Sequence, residues 1–163
     1  MNTITLFKMQ KALDQHIESQ HKLEHEDLFD RKVLALLVEI GELANETRCF
    51  KFWSVKPPSQ TEIILEEFVD GVHFILSLGI ECGFESLESI TQNGSEETDT
   101  SKQFLSIYKS VHKFRNSRRK EDYEQLFQGY LKLAQMLGLN EDQIEQAYIK
   151  KNEVNYERQR KGY

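Results

Sequence analysis

Two pairs of acids hold the most chemistry in this sequence: Glu39-Ile40-Gly41-Glu42 and Glu67-Phe68-Val69-Asp70, each set in a strongly apolar run. At i,i+3 spacing the two acids of a pair share a helix face, with Cβ atoms about 5–6 Å apart. Facing pairs would form a cage of four carboxylates. Four anions in a low-dielectric helix bundle repel strongly, and the occupant that relieves them is one or more hard, oxygen-seeking ions such as Mg²⁺ or Mn²⁺. The competing reading is two solvated faces, because 27 Asp and Glu in a helical chain produce several such spacings by chance. Gly41, inside the first pair, allows a ligand or another helix to come close. Glu46 and Glu66 lie nearby in other helical phases and are expected at the surface or behind the cage.

A second constellation is Lys151, Asn155 and Arg158 at i, i+4 and i+7. One helical face there offers two cations and an amide to phosphate oxygens, unless it is simply a basic helix end complementing its own dipole.

These groups need helices to position them, and the chain supplies them. Two prolines and eight glycines leave long intervals without breakers, and strand-type alternation is hard to find. The expected fold class is all-α, one helical-bundle domain over residues 1–163. A first helix is expected at about 3–22 with Phe7, Leu13 and Ile17 on its apolar stripe. A second, at about 27–49, carries Val33, Leu34, Leu37, Val38 and Ala44. The stretch from Lys51 to Ser59 holds Trp53 and Pro57-Pro58 and reads as a loop, and Ser59 with Glu62 reads as a capping box opening a third helix that runs to about Glu81. That helix is apolar around more than half its circumference and is expected at the centre. Residues 92–99 are polar and contain a glycine, which reads as a loop. Helices follow at about 101–117 (Phe104, Leu105, Tyr108, Val111, Phe114) and 120–137, the latter closed by Gly138, and Asn140 with Gln143 caps a last helix to about 158.

Composition narrows the function. With 27 acids against 21 Lys and Arg, a formal net charge of -6, the chain lacks the electrostatic footprint of a nucleic-acid polymer binder. No run approaches the roughly 20 apolar residues of a membrane span, and polar residues interrupt the N-terminus before a signal-peptide core builds, so the cytoplasm is the expected compartment. Cys49 and Cys82 lack zinc-site spacing and read as reduced, half-buried thiols.

ExxE, 24 intervening residues and ExxD on consecutive helices resemble the signature of the all-α nucleoside triphosphate pyrophosphohydrolases, which include MazG-like enzymes and the dimeric dUTPases. Three further stretches resemble the dimeric dUTPases: Phe50-Lys51-Phe52-Trp53-Ser54, Asp70-Gly71-Val72-His73-Phe74, and Lys151 to Gln159 with Gly162-Tyr163. The matched stretches cover residues 7–74 and 147–163. The resemblance implies a dUTP diphosphatase in which Glu39, Glu42, Glu67 and Asp70 hold two or more Mg²⁺ ions, replaceable by Mn²⁺, that bridge the triphosphate. It implies a metal-bound water as nucleophile with Glu39 as its base, dUMP and pyrophosphate as products, and dUDP as a further substrate. Lys151, Asn155 and Arg158 would bind phosphates, Trp53 would stack on the base, Gln10 would read uracil, and His73 would contact the deoxyribose 3′-hydroxyl. Asp14 stands where an asparagine is expected beside Gln10. The resemblance also implies a two-fold homodimer with the site at its interface.

The competing classes are a MazG-like pyrophosphohydrolase of another nucleotide, a carboxylate-bridged di-iron bundle, and a non-catalytic helical interaction module. A di-iron bundle expects two ExxH motifs, of which only Glu18-Ser19-Gln20-His21 is present. A module would use the basic cluster Arg115, Arg118, Arg119 and Lys120 as its docking patch.

Overall fold

In the computed structural model, which describes residues 1–85 and 97–162, the chain forms α1 (Thr3–His21), α2 (Phe29–Thr47), α3 (Thr61–Glu81), α4 (Thr100–Ser117), α5 (Lys120–Met136) and α6 (Glu141–Arg160). No strand occurs among the described residues. The expected loop at 92–99 lies largely outside them, since its residues 92–96 are not described.

Each helix end has a local cause. Asn140 and Gln143 make the expected reciprocal capping box at the start of α6, and Gly138, at φ +75°, takes the left-handed turn that ends α5. The expected box at Ser59 does not form. The Ser59 hydroxyl donates to the Glu46 carboxylate and its N–H donates to the Glu46 carbonyl at 3.0 Å, so this residue ties the 48–60 loop back onto α2 and α3 begins at Thr61.

As its composition requires, α3 is the central helix: it packs against α1, α2, α5 and α6 and buries Phe68, Val69, Val72, Ile75, Leu76 and Leu78. Two tyrosines set how closely its neighbours approach. Tyr130 donates to the Phe68 carbonyl at 3.0 Å over Gly71, and Tyr123 donates to the Ile75 carbonyl at 3.0 Å over Gly79. A Cβ at these glycines would meet the tyrosine oxygens at 2.1 and 2.4 Å, so only glycine admits the two rings. Tyr108 repeats the arrangement on α2, donating to the Leu37 carbonyl at 3.1 Å, 3.2 Å from where a Gly41 Cβ would stand. The close approach expected at Gly41 is therefore a helix contact.

The buried stripe of α2 differs in phase from the expected one. Val33, Leu36, Ile40 and Leu43 are buried, at i, i+3, i+7 and i+10, whereas Leu34 is 63% exposed and Val38 49% exposed. On α4, Ile107 is buried and Leu105 is 69% exposed. Hydropathy alone cannot rank adjacent apolar residues; the helix across the contact selects among them. Cys49 is exposed and Cys82 half-buried, and both are free thiols.

Candidate active site

The stripe that docks α2 on α3 turns Glu39 towards α3, and from α3 Glu67 and Asp70 answer it. One carboxylate oxygen from each of these three acids lies within 4.8 Å of the others, and all three side chains are half-buried. The electrostatics show the cost. Burial, then the charges of Asp70, Glu42 and Glu67, push the Glu39 carboxyl up to about 7. Burial, Asp70 and Glu42 raise Glu67, and burial raises Asp70 against the pull of Lys151.

Glu42 is not in the convergent trio. Glu67 and Asp70 keep the same i,i+3 offset and both converge, whereas Glu42 is exposed at the edge of the group, where its charge still bears on Glu39 and Glu67. Three all-oxygen, hard, acidic donors at this spacing suit a hard divalent cation, and a Glu39 held near neutrality marks a cluster that is short of positive charge.

The nearest positive charge comes from α6. The buried Lys151 ammonium donates to Asp70 Oδ2 at 2.7 Å and to Glu66 Oε1 at 2.9 Å. Glu66 is thus the outer partner of this bridge.

A cavity of about 350 Å³ runs from Glu39 and Asp70 past Phe74 and Leu13 to a polar end at Gln10, Asp14, His73 and Ser77, with Asn155 and Arg158 along the α6 side. The polar end is densely bonded. Gln10 Oε1 accepts from the Tyr148 hydroxyl at 2.7 Å and lies 2.7 Å from His73 Nδ1, while Gln10 Nε2 donates to Asp14 Oδ1 at 2.7 Å. Ser77 donates to Asp14 Oδ2 at 2.6 Å. Lys32 stands 3.8 Å from the half-buried Asp14 and also bonds Glu18 and Glu81, so its charge faces this end of the cavity. His73 stacks on Tyr148 at 4.2 Å between centroids, and burial drives its ring down to about 3, which leaves it neutral at ordinary pH.

The cavity therefore brings together Glu39, Asp70, Gln10, His73, Asn155 and Arg158, with Glu67 beside it and Lys151 bonded to Asp70. Trp53 is elsewhere in this chain. It is 65% exposed, edge-on to Phe52 at 5.0 Å and Phe50 at 5.9 Å, on a loop fastened by Arg48 to Ser54 (2.6 Å) and to the Lys56 carbonyl (3.1 Å). Sequence reading missed Tyr148, Ser77 and Lys32. The only sequence signal for them is a lone Ser77 in an apolar run, one turn beyond His73.

The residues of the competing classes are engaged in packing. Glu18 bonds Lys32 at 3.2 Å and His21 contacts Gln159 at 2.9 Å, so neither half of the single ExxH reaches the acidic cluster. Arg115 grips Asp30 with two bonds of 2.9 Å, Arg118 lies over the Phe29 ring at 3.9 Å, and Arg119 meets Asp122 at 3.4 Å. The basic cluster closes the α4–α5 corner onto α2.

No curated protein matches the chain. A family model described as dUTPase matches residues 2–163. The match spans every helix that lines the cavity, from Gln10 on α1 to Arg158 on α6, and so the chain belongs to the dimeric, all-α dUTPase family and is a dUTP diphosphatase.

Proposed function

We propose that dUTP hydrolysis by this chain depends on a divalent cation, Mg²⁺ or Mn²⁺, held by Glu39, Glu67 and Asp70 with Glu42 at the edge. The observation that carries this reading is the convergence of three carboxylate oxygens within 4.8 Å on two core helices. A cation bound there would neutralise phosphate charge and acidify a water. Glu39, whose carboxylate converges with those of Glu67 and Asp70, is the group placed to accept a proton from the attacking water. The bond cleaved joins the α- and β-phosphates, and water supplies the oxygen and protons that complete dUMP and pyrophosphate. In dUDP the same bond would release orthophosphate.

Asn155 and Arg158 face the cavity from the side where the phosphates must lie. Lys151 spends two of its three N–H donors on Asp70 and Glu66, orienting the Asp70 carboxylate, and the third serves a phosphate oxygen. The nucleoside occupies the end lined by Gln10 and His73. Trp53 does not line this cavity within one chain, and its exposed ring would serve as a stacking platform for the nucleotide held by a second copy. The direct test follows dUTP and its products by phosphorus NMR with and without Mg²⁺.

The working unit is a homodimer in this reading. Leu34 and Val38 on α2, Leu105 on α4, and Phe52, Trp53 and Val55 on the loop leave more large apolar surface exposed than a single copy of this size normally carries. Light scattering should report twice the 19.2 kDa chain mass at micromolar concentration, and Leu34→Glu should lower it. A single-chain mass for the unaltered protein would contradict the dimer. No described helix is long and apolar enough to cross a membrane.

A further inference from the structure

We propose that Asp14 and Gln10 are positioning residues that fix His73 as its Nδ1–H tautomer, so that the Nε2 lone pair meets the nucleoside as a hydrogen-bond acceptor. The proposal rests on the reading that the cavity takes a nucleotide.

The chain of bonds starts at Asp14. Its two oxygens receive Gln10 Nε2 at 2.7 Å and the Ser77 hydroxyl at 2.6 Å, with the Lys32 ammonium 3.8 Å away. Burial raises the Asp14 carboxyl, while the Lys32 charge and these two donors lower it; as the ionised group that Lys32 faces, it accepts only, and the Gln10 group facing it is the NH₂. The amide is then fixed end for end, and Gln10 Oε1 points at Tyr148 and His73. The Tyr148 hydroxyl donates to that oxygen at 2.7 Å, and His73 Nδ1, also at 2.7 Å, must bring a proton to it because two acceptors would repel. A neutral imidazole carries one N–H. His73 is buried and neutral, so its proton sits on Nδ1 and Nε2 keeps a bare lone pair.

That nitrogen is the informative atom. His73 Nε2 is buried and has no hydrogen-bond partner among the described residues, yet His73 lines the cavity. A buried acceptor left unpaired is costly, and a ligand that brings a donor removes the cost. Gln10 has its oxygen taken by Tyr148 and His73 and one amide N–H taken by Asp14, so it sets the state of His73 and keeps its second N–H for the cavity. Two donors on a deoxyuridine nucleotide have the required chemistry: the base N3–H and the sugar 3′-hydroxyl. Cytosine carries a lone pair at N3 and would meet Nε2 as acceptor against acceptor, while a 2′,3′-dideoxy sugar brings no donor.

The test uses the full chain with nitrogen-15-labelled histidine. In the unaltered protein without nucleotide, NMR should show the His73 proton on Nδ1. Gln10→Leu, which deletes the acceptor, and Asp14→Ala, which lets the amide turn over, should move proton occupancy towards Nε2. A proton on Nε2 in the unaltered protein overturns the proposal without recourse to any variant. Steady-state kinetics separates the two donors. If N3–H is the donor, Asp14→Ala narrows the kcat/KM ratio of dUTP over dCTP by about tenfold or more; if the 3′-hydroxyl is, it narrows the ratio of dUTP over 2′,3′-dideoxyuridine triphosphate instead. Both ratios unchanged, in a variant whose tautomer has moved, also overturns it. Should the unaltered protein hydrolyse no nucleotide at all, the functional reading fails, and the spectrum still decides the tautomer by itself.

Discussion

Neutralising Glu67 or Asp70, as Glu67→Gln or Asp70→Asn, is expected to lower kcat/KM for dUTP by at least about a hundredfold, with Glu39→Gln equally damaging. Groups one step behind a metal ligand are worth about 10–100-fold, and a ligand is worth no less. Glu39 carries the added loss of the proton acceptor. Glu42→Gln should cost less, about tenfold, because this side chain stands at the exposed edge and acts through its charge. None of the four changes should unfold the protein. Each removes one of several like charges that already raise one another in the metal-free state, so thermal stability without metal holds or rises. Steady-state assays at saturating Mg²⁺, paired with melting curves, check both halves. Near-unaltered turnover in Glu67→Gln and Asp70→Asn would place the chemistry elsewhere.

The same repulsion predicts how stability depends on pH and metal. The folded Glu39 carboxyl is raised from 4.5 to about 7, so between those values the folded state binds more protons than the unfolded one, and the contribution of Glu39 to stability falls as pH rises. Glu67 and Asp70 act in the same direction. His73 opposes them: its ring, held down to about 3 from 6.5, makes stability rise with pH through that interval. The contribution of Glu39 is therefore isolated by difference. Metal-free Glu39→Gln should melt with the unaltered protein near pH 4.5 and above it beyond pH 7. Mg²⁺ at a hundred times its Kd adds about 2.7 kcal/mol, which for a chain of this size raises Tm by roughly 5–10 °C. This gain belongs to the unaltered protein above pH 7 and shrinks towards pH 5, where protons hold the carboxylates. A Mg²⁺ shift of equal size at pH 5 and pH 8 would contradict the account.

Much of this was legible in the sequence, and the reasons it was legible explain what was not. The six helices of the described residues and the central place of α3 follow from breaker spacing and from an apolar run too wide for one stripe. Glu39, Glu67 and Asp70 stood out because acids inside apolar runs demand an explanation, and i,i+3 spacing gave them a common face. Phase was less accessible. Leu34 and Val38 sit one and five residues after the buried Val33, and only the packed partner decides which of such neighbours turns inward. The same limit made Glu42 look equivalent to Glu39. The Asp14–Gln10–His73 chain was hidden for a different reason: its members come from α1 and α3 and meet Tyr148 from α6, 138 positions from Gln10. No local pattern encodes that meeting. Ser59 shows the converse case, a correct local signal that lost to a tertiary bond with Glu46.

The measurement closest to the central claim is phosphorus NMR of dUTP mixed with the unaltered protein in Mg²⁺, repeated in excess chelator and with Glu67→Gln. The predicted result is dUMP and pyrophosphate appearing in equal amounts in the first sample, with dUTP persisting in the other two. Release of orthophosphate with dUDP from dUTP, or undiminished hydrolysis in chelator, would contradict a metal-dependent diphosphatase built on these three carboxylates.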